Sequence, residues 1–407
     1  EEADSTRGRA NALRLAISGQ LTGVGLGDEQ LEPVLDLCLE CKACKTECPT
    51  GVDVARMKSE YLHQLHQRTG IPRRVRLFAH TARLAQWGSR LAPFSNWLLR
   101  SYPVRLFNEY GFGLDRRRRP PAFARRTFLD WWHREHSPHV AKPVRQLTTV
   151  ALFADTFSNY FEPAQAIASA RLAERLGVQV MVPEQVCCGR PLISKGLLDA
   201  AQQQAARTTA TLFPLVAQGI PILFCEPSCY SAVVDDHPHL LRGVEQERAM
   251  QVAKNCQTFE QWAAATHQAL EPEFQFSTGP EKILVHGHCH QKALTGTGSM
   301  IELLNAIPGS TVTELDTGCC GMAGSFGYER EHFDVSREIG RQKLFPAIEA
   351  SLAHQSGVPD TCVVAPGFSC RQQIAHFTGA TPVAPASLLE SLLPDESQER
   401  NQRASLH

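Results

Sequence analysis

The chain has 407 residues, 43% of them hydrophobic, and its 41 basic and 42 acidic side chains leave a formal charge of −1. That length suits two to four domains with real cores, and the balance excludes a general nucleic-acid binder, which needs a basic excess. No apolar run approaches the ~18 residues of a membrane-spanning helix. Fourteen cysteines without a secretory signal point to metal ligands or redox groups, not disulfides.

EEADSTRGRA opens the chain without an initiator Met and without a charged-then-apolar signal pattern, as a processed product or a fragment would. Residues 1–70 read as helical. Leu31, Val34, Leu35 and Cys38 make one helical stripe, and VDVARMKSEYLHQLHQR makes a second helix. Between them lies LCLECKACKTECPTG, with Cys38, Cys41, Cys44 and Cys48 at the spacing C-x2-C-x2-C-x3-C and Pro49 next. This is the bacterial spacing for cubane [4Fe–4S] clusters. Three close thiolates wrap three irons of one cube, and the last Cys points away. A zinc knuckle is the alternative, but zinc sites usually separate two CxxC pairs by longer loops. In two-cluster ferredoxins the fourth Cys of such a run serves the other cluster. No further Cys occurs before Cys187, so the run needs thiolates from elsewhere. GVGLG at 23–27 follows no strand and is not a dinucleotide fingerprint.

Residues 71–147 carry Trp87, Trp97, Trp131, Trp132, many Arg and RRRRPP at 116–121, which predicts helices in a Pro-broken linker. Such a segment lies on an anionic membrane surface or forms a solvated connector. The connector is the plainer reading.

From residue 148 short apolar strands alternate with helices. TTVALFAD, VQVMVP and IPILF read as strands, with helices over 163–177 and 197–219. EKILVHGHCH, STVTELDTGCCG and TCVVAPGFSC repeat the plan, with helices over 299–307 and 332–353. Residues 148–278 and 279–393 therefore read as two copies of one α/β unit with a parallel sheet. Ligands of such sheets sit outside the carboxyl ends of the strands. The first copy offers Cys187, Cys188, Cys225 and Cys229, and the second Cys289, Cys319, Cys320 and Cys370. Asp155 stands near the place equivalent to Cys289, and Gly367 stands three before Cys370. Each set suits a [4Fe–4S] cluster, and Zn²⁺ competes for the first. His286, His288 and His290 are ligands, proton donors or hydrogen-bonding neighbours. Arg190 and Arg371 balance thiolate charge. Cys362 reads as a core residue, and Cys256 has no assigned role.

The CCG units resemble the cysteine-rich domains of heterodisulfide reductases and of the iron–sulfur subunit of glycolate oxidase. EEADSTRGRANALRLAISG, LCLECKACKTECPTGVDVARMKSEY, LFADTFSNYFEP, CCGRPLISKGLLDAA and CCGMAGSFGYE resemble more closely the C-terminal half of bacterial FAD-linked D-2-hydroxyacid dehydrogenases. The likeness runs over nearly the whole chain. It implies an α-helical ferredoxin-like domain (1–70), the helical linker (71–147), two repeated α/β cysteine-rich (CCG) domains (148–278 and 279–393) and a disordered tail (394–407). It implies that [4Fe–4S] clusters take electrons from FAD on a domain or subunit outside this chain and pass them to a quinone, a cytochrome or an electron-transfer flavoprotein. In that family another cysteine–proline motif and the FAD domain precede the segment resembling STRGRA, so the thiolates completing the 38–48 run, and the substrate site, are expected upstream of Glu1. The place is cytoplasmic, or peripheral at the inner membrane. The alternatives are a thiol/disulfide redox site on a CCG cluster and a zinc-stabilised scaffold.

Overall fold

The computed structural model describes residues 2–136, 148–270, 274–353 and 361–394. The tail expected over 394–407 lies outside them from residue 395. The N-terminal part is helical: α1 (Thr6–Ile17), α2 (Glu32–Leu35), α3 (Ala43–Glu47) and α4 (Val54–Thr69). The stripe over 31–38 is buried at Leu31, Leu35 and Cys38, but the helix ends at Leu35 and Cys38 lies beyond it. Asp53 caps α4 by accepting from the Arg56 N–H, which fixes where the helix after the cysteine run begins.

The connector holds α5 (Arg73–Ala79), α6 (Thr81–Arg90), α7 (Phe94–Arg100), α8 (Tyr102–Phe112) and α9 (Phe128–Arg134). It is not wholly solvated. Arg118, 3% exposed, donates to the Gly327 carbonyl at 3.1 Å and to Gln373 Oε1 at 2.7 Å, so it plugs into the second α/β copy.

The first copy runs β1 (Thr149–Phe153), α10 (Thr156–Tyr160), α11 (Pro163–Arg175), β2 (Gln179–Met181), α12 (Arg190–Ser194), α13 (Leu198–Ala217) and β3 (Ile222–Phe224). It continues through α14 (Pro227–Ser231), a π-helical turn (Ala232–Asp236), α15 (His237–Leu240), α16 (Gly243–Lys254), β4 (Cys256–Thr258) and α17 (Phe259–Leu270). The second copy runs β5 (Lys282–Val285), α18 (Cys289–Leu294), α19 (Gly298–Asn305), β6 (Thr311–Glu314), α20 (Phe333–Gln342), α21 (Leu344–Ala353), β7 (Thr361–Val364), α22 (Phe368–Thr378) and α23 (Pro385–Ser391).

Both sheets are parallel, ordered β2-β1-β3-β4 and β6-β5-β7. The shared order, with the first strand of each copy in the middle, makes the repeat visible in topology. Strand residues alternate between cores: Val150 and Leu152 face one cluster, Ala151 and Phe153 another. Apolar side chains on both faces are what a helix-covered parallel sheet requires. The larger core joins the copies: Leu172, Phe259, Ile283, Met300 and Leu389 pack in one cluster. The two units are thus fixed relative to each other.

The single helix expected over 332–353 is two. Pro346 has no N–H to give the carbonyl of Gln342, so the ladder breaks there. Phe345 folds back onto Gly340, where an added Cβ would meet its ring at 2.1 Å.

Candidate metal centres

The second copy places four cysteines at three strand ends. After β5, His288 caps α18, its Nδ1 accepting from the His290 N–H at 3.1 Å, and Cys289 is the first helical residue. After β6, the Gly321 N–H donates to Cys319 Sγ at 3.4 Å. Gly321 has φ +90°, and a Cβ there would meet the Ser336 carbonyl at 2.3 Å, so only glycine lets this turn form. After β7, Cys370 is the third residue of α22 and is buried. The thiols form a chain, Cys289 to Cys319, Cys319 to Cys320, Cys320 to Cys370.

A fifth donor joins them. One ring nitrogen of His286 lies within 4.8 Å of the Cys320 and Cys370 sulfurs in a common group. His286 Nδ1 meets Thr317 Oγ1 at 2.8 Å, while its buried Nε2 has no hydrogen-bond partner. Burial, reinforced by Lys292, lowers its pKa to about 3, so the imidazole is neutral. The Cys289 thiol is held well above its ordinary pKa by contact with Cys319 and then by burial. Four clustered thiols, with Cys320 and Cys370 buried and Cys289 and Cys319 half-buried, do not ionise together unaided. A metal cluster supplies the positive charge that lets them, so the donor set fits one.

The first copy reproduces much of this. Gly189 N–H donates to Cys187 Sγ at 3.4 Å, as Gly321 does to Cys319. Cys188 and Cys229 sulfurs are 3.0 Å apart, and Cys229 is the third residue of α14, as Cys370 is of α22. The place of Cys289 differs by one position from the expectation. Asp155 is the cap of α10, equivalent to His288, and Thr156 is the first helical residue. Its hydroxyl lies 3.9 Å from Cys187 Sγ. Cys225 is not brought to this group: its thiol meets Ser169 Oγ at 3.2 Å in the core shared by the two copies. Cys256 sits on β4 in the other core of the first copy, and Cys362 lies on β7, half-buried.

The N-terminal run is clamped between the copies. Cys38 is buried, and Lys58 donates to its carbonyl at 2.8 Å. Cys41 has Cys44 and Cys289 as electrostatic neighbours. Glu40 offers its carbonyl to His290 Nε2 at 3.0 Å, and Thr46 Oγ1 donates to the Ala293 carbonyl at 2.8 Å. On the other side Lys42, 1% exposed, donates to Asp235 Oδ2 and Asp236 Oδ1, both at 2.6 Å. Lys45 and Arg56 also reach Asp235, and Arg190 joins Asp236 to Glu40. Burial alone would raise the pKa of Asp235, but Lys42 and Lys45 overcome it and hold the carboxyl far below the usual range. The π-helical turn aims two consecutive acids at one lysine, and π-turns cluster at functional sites. Cys48 closes α3 with its sulfur 3.1 Å from Thr50 Oγ1, whose hydroxyl, with nearby backbone N–H groups, lowers the pKa to about 7.

Sequence reasoning missed Thr156, Lys42 and the pair Asp235–Asp236. The adjacent acids and the two lysines within ECKACKTEC were the available signal. Arg371, expected to balance thiolate charge, is instead tied to Glu162, Gln165 and the Ala365 and Pro366 carbonyls.

Residues 153–233 and 283–375 match the cysteine-rich (CCG) domain family. The chain is 28% identical over 319 residues to a component of the anaerobic glycerol-3-phosphate dehydrogenase of Escherichia coli K12, covering 78% of this chain and 76% of that one. To D-2-hydroxyglutarate dehydrogenase of the same organism it is 25% identical over 373 residues, 89% of this chain but 35% of that protein. To lactate utilization protein A of Bacillus thuringiensis it is 26% identical over 221 residues, 53% of this chain and 88% of the relative. Both α/β copies thus match the cysteine-rich CCG domain, and two of these relatives are a dehydrogenase and a dehydrogenase component.

Proposed function

We propose that this chain carries electrons away from a reduced flavin on a companion domain or subunit that oxidises a D-2-hydroxyacid. The acceptor is a quinone, a cytochrome or an electron-transfer flavoprotein. Support for the substrate class comes from the D-2-hydroxyglutarate dehydrogenase likeness, which covers more of this chain than the glycerol-3-phosphate one.

Cys289, Cys319, Cys320 and Cys370 would hold one [4Fe–4S] cluster, with the His286 nitrogen beside it. Cys187, Cys188 and Cys229 would hold a second, with Thr156 in the fourth place. Three thiols and a hydroxyl depart equally from the four-thiolate sets of structural zinc and of a cubane cluster, so the iron and zinc count decides between them. Cys38, Cys41 and Cys44 would wrap a ferredoxin-type cluster, with Cys48 serving a neighbouring one. When bound, such clusters accept and release single electrons. The chain's own residues exclude water by burial, donate the Gly189 and Gly321 N–H groups to sulfur, and place the Arg190 guanidinium where its charge is felt at Cys188 and Cys289. The observation that carries the reading is the juxtaposition of Cys41 with Cys289, bridged by the Glu40–His290 contact. It brings the ferredoxin-type run and the second CCG site together, as electron transfer requires.

Anaerobic purification followed by iron, sulfide and zinc counting tests the cofactors. Dye reduction driven by a D-2-hydroxyacid in the complex with the flavin companion tests the role. Zinc without iron, or dye reduction that survives loss of the clusters, would overturn it.

A further inference from the structure

Among the described residues, ten of the fourteen exposed large hydrophobic side chains fall between Ile71 and Tyr110. Trp87 is 60% exposed, Trp97 66%, Phe107 65% and Tyr110 76%. They are not scattered. On α6, Ala85, Gly88 and Ser89 are buried against the protein, with Ser89 Oγ donating to the Tyr160 carbonyl at 3.3 Å. Leu84, Trp87 and Leu91, spaced by three and four, form the opposite, outward face. Phe94 stacks on Trp97 at the start of α7.

Charge goes with the aromatics. Residues 71–119 hold eleven arginines and no lysine against Glu109 and Asp115 alone, leaving 30 basic and 40 acidic side chains in the remainder. A nearly neutral chain thus concentrates its positive charge beside its exposed tryptophans. Arg73, Arg76, Arg83, Arg90 and Arg100 are exposed, and the Arg90 guanidinium lies 5.3 Å over the Trp87 ring. Helices of 10, 7 and 11 residues are too short to cross a bilayer. Tryptophan, tyrosine and arginine are the side chains that settle at the headgroup level of a membrane.

We propose that α6–α8 form a docking surface for an anionic lipid bilayer, lying in its interface with Trp87, Leu91, Phe94 and Trp97 inserted and the arginines on the phosphates. This goes beyond electron transfer: it fixes which face of the molecule meets the membrane. A solvated connector would expose arginines but not a stripe of tryptophan and phenylalanine, and a neutral protein partner would not call for Arg73, Arg76, Arg83, Arg90 and Arg100 exposed beside that stripe.

Flotation of the purified chain with vesicles tests it. The protein should float with phosphatidylcholine vesicles containing phosphatidylglycerol, float far less with phosphatidylcholine alone, and be released by high salt. Trp fluorescence should be quenched by brominated lipid. The double variant Trp87→Ser, Trp97→Ser should weaken binding about tenfold or more, and Arg83→Gln, Arg90→Gln, Arg100→Gln should remove the preference for anionic vesicles. All five positions are exposed, and circular dichroism and iron content report whether the fold is kept. Absence of flotation with anionic vesicles would overturn the proposal. So would wild-type flotation of both variants, or a stable dimer that the tryptophan changes dissociate.

Discussion

The two α/β copies share a strand order, a glycine-capped double cysteine and a cysteine in the third position of a helix, yet they differ where the first strand ends. The second copy puts Cys289 there and the first Thr156, each as the first helical residue after a capping side chain. The second copy also places His286, with its unpartnered Nε2, beside the sulfurs, whereas the equivalent stretch of the first copy, Phe153–Asp155, carries no imidazole. The two copies share one scaffold and offer different donor atoms at it. The sites are therefore expected to differ in affinity and potential, not in architecture.

The largest effect should come from removing a sulfur. Cys320→Ala is expected to abolish the EPR signal of the second site and lower iron by about one cluster per chain. Unchanged iron would remove Cys320 from the ligand set. Thr156→Cys should work in the opposite direction, raising iron retained by the first site and making its spectrum resemble the second. If iron and spectrum stay as they were, the two strand ends are not equivalent.

Next in size is the clamp. The double variant Asp235→Asn, Asp236→Asn leaves the buried Lys42 without a carboxylate. Breaking a buried pair of this kind costs about 3–5 kcal/mol, read from the denaturant midpoint. Loss within the noise of a surface change would mean the network is not needed.

A smaller effect concerns pH. His332 lies between Asp36 Oδ2 at 2.8 Å and Glu329 Oε2 at 2.9 Å. Burial would lower its pKa, but the two carboxylates prevail and raise it to about 9. Raised above its ~6.5 in the unfolded chain, it gives stability that is full below that pH and is lost as pH climbs through about 9. The melting temperature should fall across that window, and His332→Gln should flatten the slope.

The smallest effect should be at Cys225. With its thiol on Ser169, Cys225→Ala should leave iron unchanged and cost about 1–2 kcal/mol as a small core truncation. Loss of a cluster would restore it to the ligand set.

Much of this was legible in the chain. β-branched and aromatic runs such as VALF and KILV mark strands because apolar side chains are needed on both faces. The CCG triplets mark turns because glycine alone adopts the required backbone. What was not legible depended on contacts distant in sequence. Cys225 and Cys229 look alike as residues, and only the path from β3 into α14 turns one into the core and the other toward Cys188. Thr156 offers no metal signal by itself. Strand β4 is three residues long, too short for a period to show. The break between α20 and α21 was readable from Pro346, and the strong apolar periodicity on either side masked it.

The Lys42 clamp also sets a timetable. The cysteine run leaves the ribosome long before Asp236, and longer before His290, whose contacts hold it in place. At usual synthesis rates roughly 10–50 s separate Cys48 from His290. Through that interval the four N-terminal thiols wait unclamped in a half-made protein. A metal group bound there would find its complete surroundings only once the second copy has been made.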